Sequence, residues 1–347
     1  MDTRCDFSVT ARDLSVTAPG RSRFGARRGG DRAYCPTIVT PSFLDSVRDP
    51  AEGRRLPPSA KRFPDGAQYR IEIPSVEGPR CLAAAFETAD TLGVVLQRVS
   101  QGSGVFLHTD AELREMAGLA RERQVEVSLF ARPNAGWGTS AMARSSAGAV
   151  LAAAAWGTVQ VRACLDDVRR AAEHGFRSVL IGDLGVLACF SELRANGGLP
   201  ADMQAKISVM LPAANPAAAR VLEDLGASTI NLPTDLPLEE IAAIRAAVDV
   251  PLDVYVEAPD NVGGFVRLHE IPELIRVAAP VYVKFGLRNA PDVYPSGSHL
   301  EATTVALTRE RVRRARIGLD LLARSGAEVV TSERGVADLA VPVEPAG

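Results

Sequence analysis

The stretch Val281-Tyr282-Val283-Lys284-Phe285-Gly286-Leu287-Arg288-Asn289 decides how the chain is read. It is a short, apolar, β-branched run that reads as a buried strand. It closes on a lysine and, four residues later, an arginine. The 347-residue chain carries 39 basic residues, yet only Lys61, Lys206 and Lys284 are lysines. Arginine is used almost everywhere a cation is wanted, so a lysine at a strand end points to a compact charge or an amine of tunable basicity. The structural alternative is a lysine snorkelling out of the core.

Working outward from that strand, the same pattern repeats toward the N-terminus. Apolar strand-like runs occur at Arg70–Ile73, Gly93–Arg98, Val125–Phe130, Ser178–Gly182, Lys206–Leu211, Ser228–Leu232 and Leu252–Glu257. Helical patterns fall between them, with N-cap signals at Thr109 or Asp110 and at Asn215-Pro216. A long helix is expected over about residues 307–323. Eight strand–helix units over residues 66–330 predict an α/β fold, a (β/α)8 TIM-type barrel. Near-continuous apolarity in the strands fits parallel strands covered on both faces. A doubly wound sheet would want a glycine-rich turn after its first strand. Pro74-Ser-Val-Glu-Gly-Pro79 is not one.

Residues 1–65 differ in composition. They are rich in Arg, Gly, Pro and Asp and are expected to be mostly disordered, with Pro36–Leu44 as an apolar island suited to docking. Residues 331–347 read as a C-terminal tail. A net charge of −3 and 5% aromatics argue against nucleic-acid binding. Five cysteines without a CxxC pair fit unpaired thiols in a cytoplasmic, bacterial-type protein and give no iron–sulfur spacing. No apolar run is long enough to cross a membrane, and the N-terminus lacks the centre of a secretory signal.

In a barrel, the carboxyl ends of the strands carry the chemistry. Those positions hold Glu72, Gln97, Arg98, Arg132, Asn134, Asp183, Asn231, Glu257, Asp260, Asn261, Lys284, Arg288 and Asn289. Such a set suggests a polar pocket for a small anionic molecule. Lys284, Asp183 and Glu257 are the expected catalytic groups. Arg288, Arg132, Asn134, Asn231, Asn289 and His299 are the expected substrate-binding groups. One chemistry open to this set is a divalent metal (Mg, Mn or Zn) on Glu72, Asp183 and Glu257, with the cations neutralising a carboxylate or phosphate. The other is Lys284 as a base or Schiff-base amine. His299 lies in a connection of about twenty residues, Phe285–Ala306, of lid-like length.

Several segments resemble peptidase family U32, the collagenase-like peptidases. They are Phe176–Leu187 with its Asp183-Leu-Gly-Val-Leu, the run Ala218–Ile244, Ile271-Pro-Glu-Leu, and Lys284-x-x-x-Arg288, where the family shows Lys-Ile-Glu-Gly-Arg. The resemblance implies a barrel and keeps Asp183, Lys284 and Arg288 as site residues. The chain departs from the family at Gly286, which replaces the glutamate. It departs again at Glu257-Ala-Pro-Asp-Asn261, which replaces His-Gly-Ala-x-Cys, and in lacking the later cysteine cluster. Family members that hydroxylate RNA or quinone precursors hold an iron–sulfur cluster on those cysteines, so no such cluster is expected here. The resulting expectation is a divergent branch: an enzyme with metal- or lysine-assisted lyase or hydrolase chemistry. The alternatives are a non-catalytic subunit or ligand-binding partner of a cysteine-bearing relative, in a homo- or hetero-oligomer, and, ranked last, a true peptidase.

Overall fold

In the computed structural model, the described residues are 55–345 except 139 and 147. The expectation of disorder up to residue 54, with the apolar island, falls outside them. From Tyr69 the chain builds a closed barrel of eight parallel strands in sequence order. The strands are β1 (Tyr69–Pro74), β2 (Arg98–Ser100), β3 (Glu126–Phe130), β4 (Ser178–Ile181), β5 (Gln204–Ile207), β6 (Thr229–Asn231), β7 (Leu252–Glu257) and β8 (Val281–Phe285). The (β/α)8 architecture read from the sequence is therefore the fold.

Eight helices form the outer layer: α1 (Pro79–Leu92), α2 (Asp110–Arg123), α3 (Gly157–Glu173), α4 (Leu184–Ala195), α5 (Pro216–Asp224), α6 (Leu238–Ala247), α7 (Ile271–Ala278) and α8 (Glu301–Arg324). Local signals start several of them. Thr109 and Glu112 form a full capping box on α2. Asn215 caps α5 ahead of Pro216, and Asp183 caps α4. The second strand lies later than expected, because Gly93 is the left-handed C-cap that ends α1. Helix α8 begins at Glu301, six residues earlier than the pattern suggested, so the β8–α8 connection is shorter than a twenty-residue lid.

Strand alternation divides the side chains into two populations. Outward residues such as Ile71, Val99, Leu129, Ile181, Ile207, Ile230, Val254 and Val283 join helix residues in one apolar core. Inward residues are mostly polar, with Phe130 and Leu180 as apolar exceptions. The amino-terminal end of the barrel is closed by Arg70, which pairs with Asp338 at 2.8 Å and stacks 3.9 Å over Phe63. Residues 55–65, read from sequence as part of the extension, thus include a piece of the barrel floor. The tail contributes as well: Thr331 bridges to Tyr69, and Val343 donates its amide to the Gly175 carbonyl.

Candidate functional site

The barrel interior is built on charge. Register places Glu72 beside both Lys284 of β8 and Arg98 of β2, with Asp253 of β7 beside Asn231 of β6. Lys206 enters from β5. The two oxygens of Glu72 are divided between two lysines: Lys284 Nζ lies 3.2 Å from Oε1, and Lys206 Nζ bonds Oε2. Lys206 also donates to Asp253 at 2.5 Å. Arg98 reaches Glu72 at 2.6 Å, bonds Asp253, lies 3.7 Å from Glu126 and stacks 3.4 Å over the Tyr282 ring. All six charged groups are essentially fully buried. Three acids, Glu72, Glu126 and Asp253, thus face three cations, Arg98, Lys206 and Lys284. A buried charge survives only when paired and hydrogen-bonded, and this set meets that condition collectively.

The electrostatics follow from the arrangement. Burial alone would push the Glu72 carboxyl up, but Arg98, Lys206 and Lys284 hold it well below the usual carboxylate range. Burial, with Arg98 and Lys284 nearby, brings Lys206 down to about 8, even against the pull of Asp253 and Glu72. Burial raises the phenols of Tyr255 and Tyr294, so both stay protonated O–H donors.

Above this layer a cavity of about 240 Å³ opens at the carboxyl ends of the strands. Lys284 forms part of its floor. The ammonium sits 4.4 Å over the Tyr255 ring and, with the Asn231 amide turned to satisfy both its ends, donates to Asn231 at 2.9 Å. Arg132 is the second cation in the lining. Its guanidinium lies 4.3 Å from the Phe130 ring and 3.9 Å from the Trp137 ring. Its Nε has no partner, and burial brings the group down to about 10, still cationic at neutral pH. Among the described residues it makes no ion pair within 4.0 Å. Asp292 is the one carboxylate in the lining.

The residues expected in the site separate into those that converge and those that do not. Lys284, Asn231 and Arg132 line the cavity. Glu72 sits beneath it, inside the barrel rather than at a strand tip. Asn134 is buried behind Arg132, lining an adjoining cavity with its Oδ1 unpartnered. Asp183 is spent on structure: its carboxylate accepts the amides of Val186 at 2.9 Å and Ala155 at 3.0 Å. Glu257 faces outward, because a register shift between Tyr255 and Glu257 reverses the alternation. It accepts the Arg288 amide at 3.0 Å and lies 3.7 Å from Arg314 of α8. Arg288 and Asn289 sit on the exposed rim near Asp260, where the Asn289 amide donates to the aspartate at 2.5 Å. His299 is exposed beside a different cavity, with Glu77 and His108. Gln97 lies below the strand, where it accepts the Ile71 amide and donates to the Ser332 carbonyl.

Glu72, Asp183 and Glu257 therefore do not fit a metal centre. One is saturated by cations, one caps a helix and one faces α8. Among the described residues no group of three or more His, Cys, Asp or Glu is placed to hold a metal ion. Gly286 has a physical reason to carry no side chain. A Cβ there would lie 2.6 Å from the Glu257 carbonyl and 2.8 Å from Pro259. The bulged β7 and the start of the next loop approach too closely for any side chain.

Fold and cavity together define a (β/α)8 barrel with a lysine-floored pocket at the carboxyl ends of its strands. Residues 140–258 match the model of peptidase family U32, so the family resemblance read from the sequence holds from the β3–α3 connection to the end of β7. The lysine–arginine motif of β8 lies beyond the matched stretch. No curated protein matches the chain. Among solved structures, the chain is similar to the U32 peptidase Mk0906, at 18% identity over 58% of this chain and 73% of that one, with a TM-score of 0.35. It is similar to a truncated 3-deoxy-D-arabino-heptulosonate 7-phosphate synthase from Thermotoga maritima, at 14% identity over 78% and 95% of the two chains, TM-score 0.39. A dimeric archaeal Rubisco from Hyperthermus butylicus is similar at 14% identity over 82% and 68%, TM-score 0.42. These likenesses concern the fold alone.

Proposed function

We propose that the protein is a cytoplasmic (β/α)8-barrel enzyme that acts on a small anionic metabolite by lysine-assisted lyase or hydrolase chemistry. The observation that carries this reading is Lys284, a buried ammonium at the cavity floor held by Glu72, Asn231 and the Tyr255 ring. A fixed cation stabilises negative charge that develops on a carbonyl or carboxylate oxygen, and no reorganisation is needed at the moment of reaction. Tyr255 supports the same oxygen as a neutral donor. Arg132, whose guanidinium lies against the Phe130 and Trp137 rings and lines the same cavity, supplies a second cation for the anionic end of the substrate. Phe130 and Leu180 supply apolar wall. The lysine route is favoured over a metal route because the carboxylates a metal would need are already engaged. The three described cysteines are free thiols, in keeping with a reducing compartment.

The test is a binding and trapping experiment on the full chain. Pyruvate, oxaloacetate, phosphoenolpyruvate and benzoate are compared with neutral amide analogues by thermal shift and calorimetry. Anions are expected to stabilise the protein, with at least about a tenfold weaker interaction in Lys284→Met and in Arg132→Leu. Cyanoborohydride added with each oxo acid separates a Schiff-base amine, which leaves a stable adduct on Lys284, from a purely electrostatic role. Anions that bind the wild type and both variants equally well would sink this assignment.

A further inference from the structure

Lys206 is one of only three lysines in this chain, is about 1% exposed, and does not line the cavity. It nevertheless shares a carboxylate with the lysine that does. Lys206 holds Oε2 of Glu72 while Lys284 holds Oε1, and Lys206 is braced from the other side by Asp253 at 2.5 Å. We propose that Lys206 is a positioning residue for the pocket cation: while it carries its charge it shares Glu72 with Lys284 and leaves the Lys284 ammonium against Tyr255 and Asn231; loss of that charge releases Lys284 from those two groups toward Glu72. The inference rests on Lys284 being the working cation of the cavity.

The charged and titratable groups around Lys206 make the release directional. Glu72 comes from β1, Arg98 from β2, Glu126 from β3, Asp253 and Tyr255 from β7, and Tyr282 and Lys284 from β8. With every acid and base ionised, the three acids and three cations cancel. Removing one proton from Lys206 leaves the interior one negative charge in excess. Glu72 Oε2 then keeps only Arg98 and Oε1 keeps Ser100 and Lys284, so the excess negative charge draws the Lys284 ammonium down toward Glu72 and away from Tyr255 and Asn231. Arginine cannot supply this switch, because its guanidinium stays charged throughout. Burial brings the Lys206 ammonium down to about 8, within reach of neutrality.

The chain's three lysines make the test direct. Protein carrying 13C,15N-lysine gives three Cε–Hε signals, assigned by single Lys→Arg variants. Lys61, with a side chain 35% exposed, serves as the internal reference. Because Lys284 Nζ lies 4.4 Å over the Tyr255 ring, its Hε protons are expected upfield of those of Lys61. Three results support the proposal. Lys206 titrates near pH 8; the Lys284 Hε signal moves toward the Lys61 position with the same midpoint; and that movement is absent from both variants, the Lys284 signal staying upfield at every pH in Lys206→Arg and displaced at every pH in Lys206→Met. Should Lys206→Met fail to fold, the wild-type titration decides alone. A Lys284 signal that stays in place while Lys206 titrates overturns the proposal, as does a Lys206 signal unchanged up to about pH 10, the range of an ordinary lysine. Neither result touches the functional reading, which falls instead if Lys284→Met and Arg132→Leu bind those oxo acids and phosphoenolpyruvate as tightly as wild type.

Discussion

The two faces of the same eight strands are built on opposite principles. Facing the helices, Ile71, Val99, Leu129, Ile207, Ile230 and Val254 form a continuous apolar layer. Facing inward, Glu72, Arg98, Glu126, Lys206, Asp253 and Lys284 form a closed charge network. The outer face drives folding, since area removed from water is favourable whatever its detailed geometry. The inner face contributes little net stability, because desolvation offsets most of the Coulomb gain. It fixes one arrangement of cations beneath a cavity. The comparison teaches that the interior is constructed for position rather than for strength, and that its parts are interdependent where those of the shell are more nearly additive.

The sharpest way to break that contrast is to remove one member of the network. Glu72→Gln or Asp253→Asn leaves buried cations short of a partner and is expected to cost about 3–5 kcal/mol, read from urea midpoints. A double variant, Asp253→Asn with Lys206→Met, should cost clearly less than the sum of its parts. Additive losses would show that the network is not a unit. In the shell, Ile230→Ala should cost roughly 2–4 kcal/mol through lost burial and a residual cavity. That cost should add cleanly to the loss from Leu129→Ala if the two sites prove independent by double-mutant cycle.

A smaller effect should expose the exception within the shell. Asp167 of α3 is buried with no ion pair within 4.0 Å among the described residues, and burial pushes its carboxyl up to about 7, despite the Arg132 and Phe106 amides and the charge of Arg170. A folded-state value raised above the ordinary 3.8 means that the native state holds the proton more tightly. Its contribution to stability is therefore fully present below that ordinary value and is lost as pH rises through about 7. Asp167→Asn should flatten the pH dependence across this window and raise stability at pH 8 by about 1–2 kcal/mol, followed by thermal melts at several pH values. The smallest effect is expected at the surface: Arg309→Ala, which breaks a 3.0 Å pair with Glu87, should change stability by no more than about 0.5 kcal/mol. A larger loss there would blur the distinction between inner and outer charge.

Much of the barrel was legible because its signals are local. Strand runs, Thr109 and Asn215-Pro216 act within a few residues, and eight repeats leave little choice of topology. Lys284, Asn231 and Arg132 were found by their place at strand ends. Arg98 and Asp253 were readable in principle as charged residues of inward parity. Lys206, one of three lysines, offered a clear compositional signal as well. Asp183 and Glu257 show the limit. Both stand at strand ends, but one side chain is taken by a helix cap and the other is turned outward by a bulge that alternation alone does not reveal. The aromatic bracket of Arg132 was likewise hidden, because Trp137 reaches it from a connection whose path depends on the whole molecule.

The amino-acid sequence by itself determined the alternation of apolar and polar residues, and with it the eight strands, their covering helices and the inward parity of the charges. Tertiary structure alone decided which of those charges meet. Closing the barrel brings β1 against β8 and sets β5 opposite β1, so that residues as far apart as Glu72, Lys206 and Lys284 share one carboxylate. The physical reason is range: patterning and capping act over a few residues, whereas pairing of buried charges depends on the register and closure of the entire sheet.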